Sequence, residues 1–167
     1  SIPSHGVVML KVVGTKAKLQ EVFEAEYSWM NNYNLTQNTA IVGNQARPTK
    51  DAVCSKATKV NYIGGRTDNY IEFRDVFANA TGKYTLTITY ESGENRNATV
   101  TINGKDTTLT NLNSGGFSTL KNISIPVSLN KGSNIIRISN ATAWAPDIDK
   151  IAIDVNKNIA SVTVSVS

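Results

Sequence analysis

A strict alternation of apolar and polar residues over positions 83–90 limits what this chain can fold into more than any other feature. One side of the pattern carries Tyr84, Leu86, Ile88 and Tyr90, and threonines occupy the other side. Successive side chains of an extended strand point to opposite faces. The pattern therefore predicts an antiparallel strand with one face in a core and the other in water.

The same period of two recurs along the chain after residue 60 and predicts several more strands. They fall at residues 70–73, 98–102, 122–129, 134–139 and 150–155. Turn residues such as Asn103-Gly104 separate them, and no window sustains helical spacing. Short strands between regular turns predict an all-β fold, a jelly-roll β-sandwich of two antiparallel sheets.

The length of 167 residues suits one well-buried domain, which we place at residues 17–155. Residues 1–16 are interpreted as the last strand of a preceding β-domain or as a linker. Residues 156–167 are interpreted as a C-terminal tail or an edge strand. Residues 27–60 interrupt the alternation with a segment rich in Asn, Gln and Thr, which we predict to be a long functional loop.

Charge and cysteine content argue against several classes of protein. The net charge is only +4 and the cations are scattered, which argues against a nucleic-acid partner. Cys54 is the single cysteine, so neither an internal disulfide nor a thiolate metal cluster is expected, and we predict a small residue in the core or a loop. No apolar run approaches the roughly 20 residues of a membrane span.

Residues with the pattern of a catalytic centre are not evident. The single histidine, His5, has no evident serine or cysteine to activate. A pair of carboxylates acting as acid and base needs an open cleft, whereas Asp149 falls beside apolar strand residues. A small hydrolase or lyase is therefore the least favoured interpretation.

Three carboxylates are predicted to converge. Glu24 and Glu26 point the same way in an extended strand, and by parity Asp149 shares a face with the core residues Ile151 and Ile153. If the first and last strands are neighbours, the carboxylates repel one another, and an oxygen-seeking cation such as calcium would relieve the repulsion. The alternative is a surface pair of glutamates with Asp149 in a salt bridge.

Aromatic residues at predicted loop positions suggest a ligand surface. They are Tyr27, Trp29, Tyr33, Tyr62, Phe117 and Trp144. Sugars bind flat aromatic faces through their C–H surfaces, while polar side chains take the hydroxyl groups. The alternative is that these rings cover the end of the sandwich core. Trp144 is the strongest candidate for a ligand contact, because a large apolar ring in a loop is costly to expose.

Ordered motifs across residues 20–155 resemble carbohydrate-binding module family 35 and the related family 6. The segments that carry the resemblance are FEAE at 23–26, VNYIGG at 60–65, GKYTLTITY at 82–90, VSLNKGSNII at 127–136 and IDKI at 148–151. The resemblance implies a galactose-binding-domain-like sandwich. It also implies a structural calcium ion held by Glu24, Glu26 and Asp149.

The resemblance places the sugar site in loops at one end of the sandwich. Phe117 stands where family 6 often has tryptophan, and Asp147 stands where asparagine is typical. Trp144 is a possible compensation, and the predicted sugar-binding set also includes Tyr62, Tyr33 and Trp29. Separately, residues 4–11 resemble the final strand of the C-terminal β-domain of family 27 α-galactosidases.

These resemblances together imply a secreted, periplasmic or cell-surface module that is not itself catalytic. Its expected role is to target a parent glycoside hydrolase, an α-galactosidase upstream in the chain, to galactose-containing or related plant polysaccharide. We expect a monomer. The alternative is a structural or interaction sandwich that packs on the catalytic domain without binding sugar.

Overall fold

A computed structural model describes residues 20–31, 33–34, 39–40 and 44–154. The strands are β1 (Gln20–Glu24), β2 (Trp29–Met30), β3 (Tyr33–Asn34), β4 (Thr39–Ala40), β5 (Arg47–Lys50), β6 (Thr58–Asn61), β7 (Tyr70–Ala78), β8 (Gly82–Ser92), β9 (Arg96–Ile102), β10 (Lys105–Leu112), β11 (Gly116–Leu129), β12 (Gly132–Ser139) and β13 (Asp147–Asp154). Two single 3-10 turns, Ala25–Tyr27 and Ser55–Ala57, follow β1 and precede β6. None of the described helical segments is long and apolar enough to cross a membrane.

The strands form two antiparallel sheets that face each other across one core. One sheet has the order β11-β8-β13-β6-β5, with β1 also paired to β13, and the other has the order β10-β9-β12-β7-β2. The pair β3-β4 is separate from both. This architecture confirms the predicted jelly-roll sandwich.

The core follows from the alternation that the sequence shows. Leu86 and Ile88 of β8 are buried against Ile71 of β7 and Ile138 of β12. Burying a side chain of this size stabilises the fold by about 1.5–3 kcal/mol relative to leaving it exposed. The apolar faces of the two sheets thus hold the sandwich together.

Strands β1 and β13 are neighbours, as the convergence of the three carboxylates requires. Gln20 lies opposite Asp154, and Glu24 lies opposite Lys150. The amide Nε2 of Gln20 donates to Oδ1 of Asp154 over 2.6 Å. The start of β1 therefore lies beside the end of β13.

The five-stranded sheet pairs one buried glutamate with two partly exposed arginines. Nη2 of Arg137 donates to Oε1 of Glu72 over 2.6 Å, and Nη2 of Arg74 donates to Oε2 over 2.8 Å. Burial alone would raise the pKa of Glu72, but the hydrogen bonds from both guanidinium groups outweigh it, so the pKa lies below its usual value.

The prediction of a single long loop over residues 27–60 is wrong. Strands β5 and β6 form a hairpin that completes the six-stranded sheet, and β2 pairs with β7 in the other sheet. The alternation fails to show β5 because it is an edge strand, where Pro48 is tolerated and one side of the backbone faces solvent.

Strand β10 is absent from the prediction for a similar reason. It is the edge of the five-stranded sheet, and only Leu109 and Leu112 among its residues are buried. A register shift separates these two leucines, so the apolar period is broken. The interpretations of residues 1–16 and 156–167 fall outside the described residues.

Candidate functional site

A cleft of about 410 Å³ opens at the end of the six-stranded sheet where β13 begins. Its lining includes Thr49, Asn61, Tyr62, Phe117, Trp144 and Asp147. Four of these residues, Tyr62, Phe117, Trp144 and Asp147, belong to the set that the sequence predicts to bind sugar. The structure brings them together from three separate stretches of the chain, since Trp144 and Asp147 belong to one segment.

Trp144 is held in place by backbone and ring contacts. Its ring meets that of Tyr62 edge to face, with the centroids 5.7 Å apart and the planes at 86°. It also lies over Gly65, where a Cβ atom would come within 3.2 Å of the indole. The guanidinium of Arg47 lies 4.4 Å from the centre of the Tyr62 ring and orients it.

Phe117 supplies the second aromatic part of the cleft. It lies in the irregular first part of β11, before the register with β8 becomes continuous at Lys121, and not in a free loop. Its ring is 42% exposed, with the guanidinium of Arg96 at 4.7 Å from its centre. A Cβ atom on Gly93 would lie 2.9 Å from this ring, so the ring occupies space that only glycine leaves open.

The polar part of the cleft is organised by a buried lysine. Nζ of Lys59 donates to Oε2 of Glu91 over 2.5 Å and to the carbonyl oxygen of Phe117 over 2.6 Å. The same ammonium forms ion pairs with Oδ2 of Asp51 at 3.1 Å and Oδ2 of Asp147 at 3.2 Å. One cation therefore contacts three carboxylates and one backbone carbonyl.

Burial and ion pairing compete in setting the pKa values of this cluster. It raises the pKa of Asp147 and of Glu91, against the opposing effect of the Lys59 ammonium. Burial would lower the pKa of Lys59, but its carboxylate partners outweigh burial and raise it. Burial would raise the pKa of Asp51, but the hydrogen bond from Lys59 and the other partners of Asp51 bring the pKa below its usual value. The cation therefore stays charged across the ordinary range of pH.

Sequence reasoning missed Lys59, Asp51, Glu91 and Arg96. Lys59 falls in a segment that was predicted to be a loop, and Glu91 directly follows the alternating residues of β8. No local pattern shows that Asp51, Glu91 and Asp147 surround one lysine, since the contacts join residues up to 88 positions apart.

Asp51, Cys54 and Glu91 also lie within 4.8 Å of one another, as the ligands of a metal ion would. The Lys59 ammonium already lies against both carboxylates, however. Burial, together with the nearby carboxylates, raises the pKa of the Cys54 thiol to about 12, which disfavours the thiolate that a metal needs. We therefore interpret these residues as part of the charged cluster around Lys59.

Two of the three predicted metal-binding residues, Glu24 and Asp149, meet at Ser55 in a second place. Oγ of Ser55 lies 2.5 Å from Oε2 of Glu24 and 2.7 Å from Oδ1 of Asp149, and the Ser55 amide donates to Oδ1 of Asp149 over 2.8 Å. We call Glu24, Glu26, Asp149 and Ser55 the carboxylate cluster. Glu26 belongs to it because the carboxylates of Glu24 and Asp149 act on its ionisation.

The route to this convergence differs from the predicted one. Strand β1 ends at Glu24, and a 3-10 turn carries Glu26, so the two glutamates do not share the face of one extended strand. Asp149 lies at a register shift between Ile148 and Lys150, so strict parity does not hold there. Its side chain is nevertheless fully buried.

Three oxygens of the carboxylate cluster lack a hydrogen bond. Among the described residues, no donor bonds to either carboxylate oxygen of Glu26 or to Oδ2 of Asp149, although Lys150 Nζ lies 3.5 Å from the latter. Burial raises the pKa of Glu26, and the neighbouring carboxylates raise it further. An all-oxygen set with buried, unpartnered carboxylate oxygens fits a hard cation such as calcium.

Two predicted sugar-binding residues lie away from the cleft. Trp29 lies in β2 of the five-stranded sheet and is 45% exposed, with the guanidinium of Arg74 over its ring at 4.3 Å. Tyr33 lies in β3 and packs against the core. Both positions follow from the pairing of β2 with β7 and of β3 with β4, which the prediction of a loop did not include.

Comparison with known proteins agrees with this architecture. The profile of the CBM13-like family described as "Alpha-galactosidase, CBM13 domain" matches residues 70–153, half of the chain. A family 35 carbohydrate binding module from Clostridium thermocellum is 31% identical, with a TM-score of 0.68 over 80% of this chain and 98% of the module. Curated protein sequences gave no match.

Two more distant structures share the fold. The CBM35 from Paenibacillus barcinonensis is 20% identical, with a TM-score of 0.66 over 81% of this chain and 99% of that one. An exo-beta-1,3-galactanase from Phanerochaete chrysosporium, solved with galactose, is 22% identical, with a TM-score of 0.67. That match covers 81% of this chain but only 29% of the galactanase. The chain belongs to the carbohydrate-binding modules, in the CBM13-like family of alpha-galactosidase domains, and has the sandwich of the family 35 modules.

Proposed function

We propose that the cleft binds galactose-containing or related plant polysaccharide, and that the domain thereby holds an attached glycoside hydrolase, an α-galactosidase, on its substrate. The observation that carries the proposal is a cleft in which fixed aromatic rings stand beside carboxylate and amide acceptors. The description of the matching family and the galactose bound by the galactanase support the choice of sugar. A plant polysaccharide lies outside the cell that uses it, which supports secretion of the domain or its display at the cell surface.

The chemistry of the lining suits a sugar ring. The faces of Trp144 and Phe117 offer apolar surface to C–H groups. Asp147, Asn61 and Thr49 offer acceptors and donors for hydroxyl groups. Because the cleft is shallow and a single sugar covers little area, we expect dissociation constants between about 1 mM and 1 μM.

Isothermal titration of the domain tests the proposal. Galactosides, galactomannan and uronic-acid oligosaccharides serve as ligands, each with calcium present. We expect heat with at least one galactose-containing ligand, and loss of that heat in Trp144→Ala and Phe117→Ala. Trp29→Ala is the matched control, since it removes an equally exposed ring from the other sheet. If no ligand gives heat and Trp144→Ala mainly lowers the melting temperature, the structural role without sugar is correct instead.

We further propose that the carboxylate cluster binds a structural calcium ion. Glu24, Glu26 and Asp149 would hold it, and it would neutralise charges that otherwise repel one another near the junction of β1 and β13. The unpartnered oxygens of Glu26 support this proposal, because buried charged oxygens without partners are costly.

A further inference from the structure

Lys59 is the most enclosed cation of the cleft. It belongs to β6, and its side chain is 7% exposed. Its ammonium carries three hydrogens and has four acceptors within reach: Glu91, Asp51, Asp147 and the carbonyl of Phe117. Lys59 lines the cleft, but a side chain this enclosed has little surface to offer a ligand, so we expect it to act on binding mainly through its partners.

The four partners come from separate elements. Asp51 follows β5, Glu91 lies near the end of β8, Phe117 near the start of β11, and Asp147 begins β13. Two of them, Phe117 and Asp147, supply the ring and the acceptor on which the proposed sugar contact depends. A compact ammonium with hydrogens in several directions can join these elements, whereas a planar guanidinium cannot.

Arg96 does not duplicate this function. Its Nη1 donates to the carbonyl of Ala145 over 3.1 Å and lies 3.7 Å from Oδ1 of Asp147, and its Nη2 pairs with the exposed Glu94 at 2.8 Å. It stacks on the ring of Phe117 but does not bond to the Phe117 backbone. Of these two cations, only Lys59 donates to the Phe117 carbonyl.

We propose that Lys59 is the positioning residue of the cleft: it fixes the Phe117 backbone and the Asp147 carboxylate at the spacing that binds sugar, without contacting the sugar itself. This inference rests on the proposed function of the cleft. It assigns the geometry of the site to a buried cation and not to the exposed rings alone.

The experiment compares two variants that differ in Lys59 alone. Glu91→Gln removes a carboxylate that does not line the cleft and leaves three acceptors for the three ammonium hydrogens. Lys59→Met with Glu91→Gln then removes the cation while the net charge of the cluster stays that of the wild type. We expect the double variant to bind about tenfold more weakly than Glu91→Gln, or worse, since a charged hydrogen bond is lost at each positioned group.

Addition of Phe117→Ala to both variants separates positioning from simple stability. If Lys59 acts through Phe117, Phe117→Ala weakens binding strongly in the Glu91→Gln background, where Lys59 is present. It weakens binding only slightly in the Lys59→Met/Glu91→Gln background. If Lys59 affected only stability, Phe117→Ala would weaken binding by the same factor in both backgrounds. Lys59→Arg keeps the charge and serves as a second variant in case the double variant does not fold. It should fold and bind about tenfold more weakly than the wild type.

The outcomes distinguish this inference from the proposed function. Absence of binding by the wild type refutes the proposed function and the inference with it. Binding by the wild type together with equal binding by a folded Lys59→Met/Glu91→Gln protein, or by folded Lys59→Arg, overturns only the inference. Equal effects of Phe117→Ala in the two backgrounds overturn it as well.

Discussion

Removal of calcium should lower the melting temperature of this domain by several degrees. Ser55 Oγ lies 2.5 Å from a Glu24 oxygen and 2.7 Å from an Asp149 oxygen, so those carboxylate oxygens are at most about 5 Å apart. Two unit charges at that distance repel by about 3 kcal/mol at an effective dielectric of about 20. Glu26 adds a third charge with no hydrogen bond among the described residues.

Calcium that binds only the native state stabilises it by about 2.7 kcal/mol at a hundred times its dissociation constant. For a chain of this length each kcal/mol corresponds to roughly 2–4 °C, so chelation should lower the melting temperature by about 5–11 °C. Differential scanning calorimetry with calcium, with EDTA, and with calcium restored measures this shift. Magnesium should restore little of it, because it requires tighter octahedral coordination.

Two variants locate the effect. Glu26→Gln should abolish the difference between calcium and EDTA, while Glu21→Gln, at an exposed position of the same strand region, should keep it. An unchanged melting temperature in EDTA would refute the calcium site. An equal shift in wild type and Glu26→Gln would place the ion elsewhere.

Three other perturbations test separate parts of the structure. Glu72→Gln should lower the free energy of unfolding at pH 7 by about 1–3 kcal/mol, since two arginines lose their shared carboxylate. That loss should fade as the pH falls through the lowered pKa of Glu72, as urea denaturation at pH 7 and pH 3 would show. Gly93→Ala should displace the Phe117 ring and weaken sugar binding by up to about tenfold, measured by calorimetry. Cys54, with a thiol pKa of about 12, should react with iodoacetamide at pH 8 at least about a hundredfold more slowly in the native than in the unfolded protein.

The two substitutions each have a matched control variant. Asp68→Asn breaks an exposed ion pair with Arg66 and should change the free energy of unfolding by less than about 0.5 kcal/mol at either pH. Gly82→Ala places a Cβ atom 4.0 Å from its nearest neighbour and should leave sugar binding unchanged. A Glu72→Gln deficit that is no smaller at pH 3 than at pH 7, or native Cys54 that reacts as fast as the unfolded thiol, would contradict the corresponding argument.

The sandwich was predictable because most of its strands have one buried and one exposed face. Leu86 and Ile88 show this directly, and both are buried as their spacing predicts. Strands β5 and β10 were not predictable, because edge strands bury few side chains. Their sequences therefore need not alternate between apolar and polar residues. The register shift at Asp149 was also hidden, since parity assumes an unbroken strand.

The candidate site was predictable only in its apolar half. Trp144 and Phe117 were found because each ring stands in a segment where a core role was not obvious, whereas Trp29 looked the same and lies in the other sheet. Lys59 was missed because the burial of a cation depends on carboxylates brought from distant strands. Such long-range compensation leaves no local signature in the sequence.

The adjacency of Gln20 and Asp154 has a practical consequence for engineering. Asp147 lies at the opposite end of the eight-residue strand β13, roughly 23 Å away along the strand. A tether attached at Gln20 or Asp154 therefore leads away from the cleft. Among the described residues, attachment at either position, in a surface loop of a host protein or on a sensor chip, would direct the cleft outward.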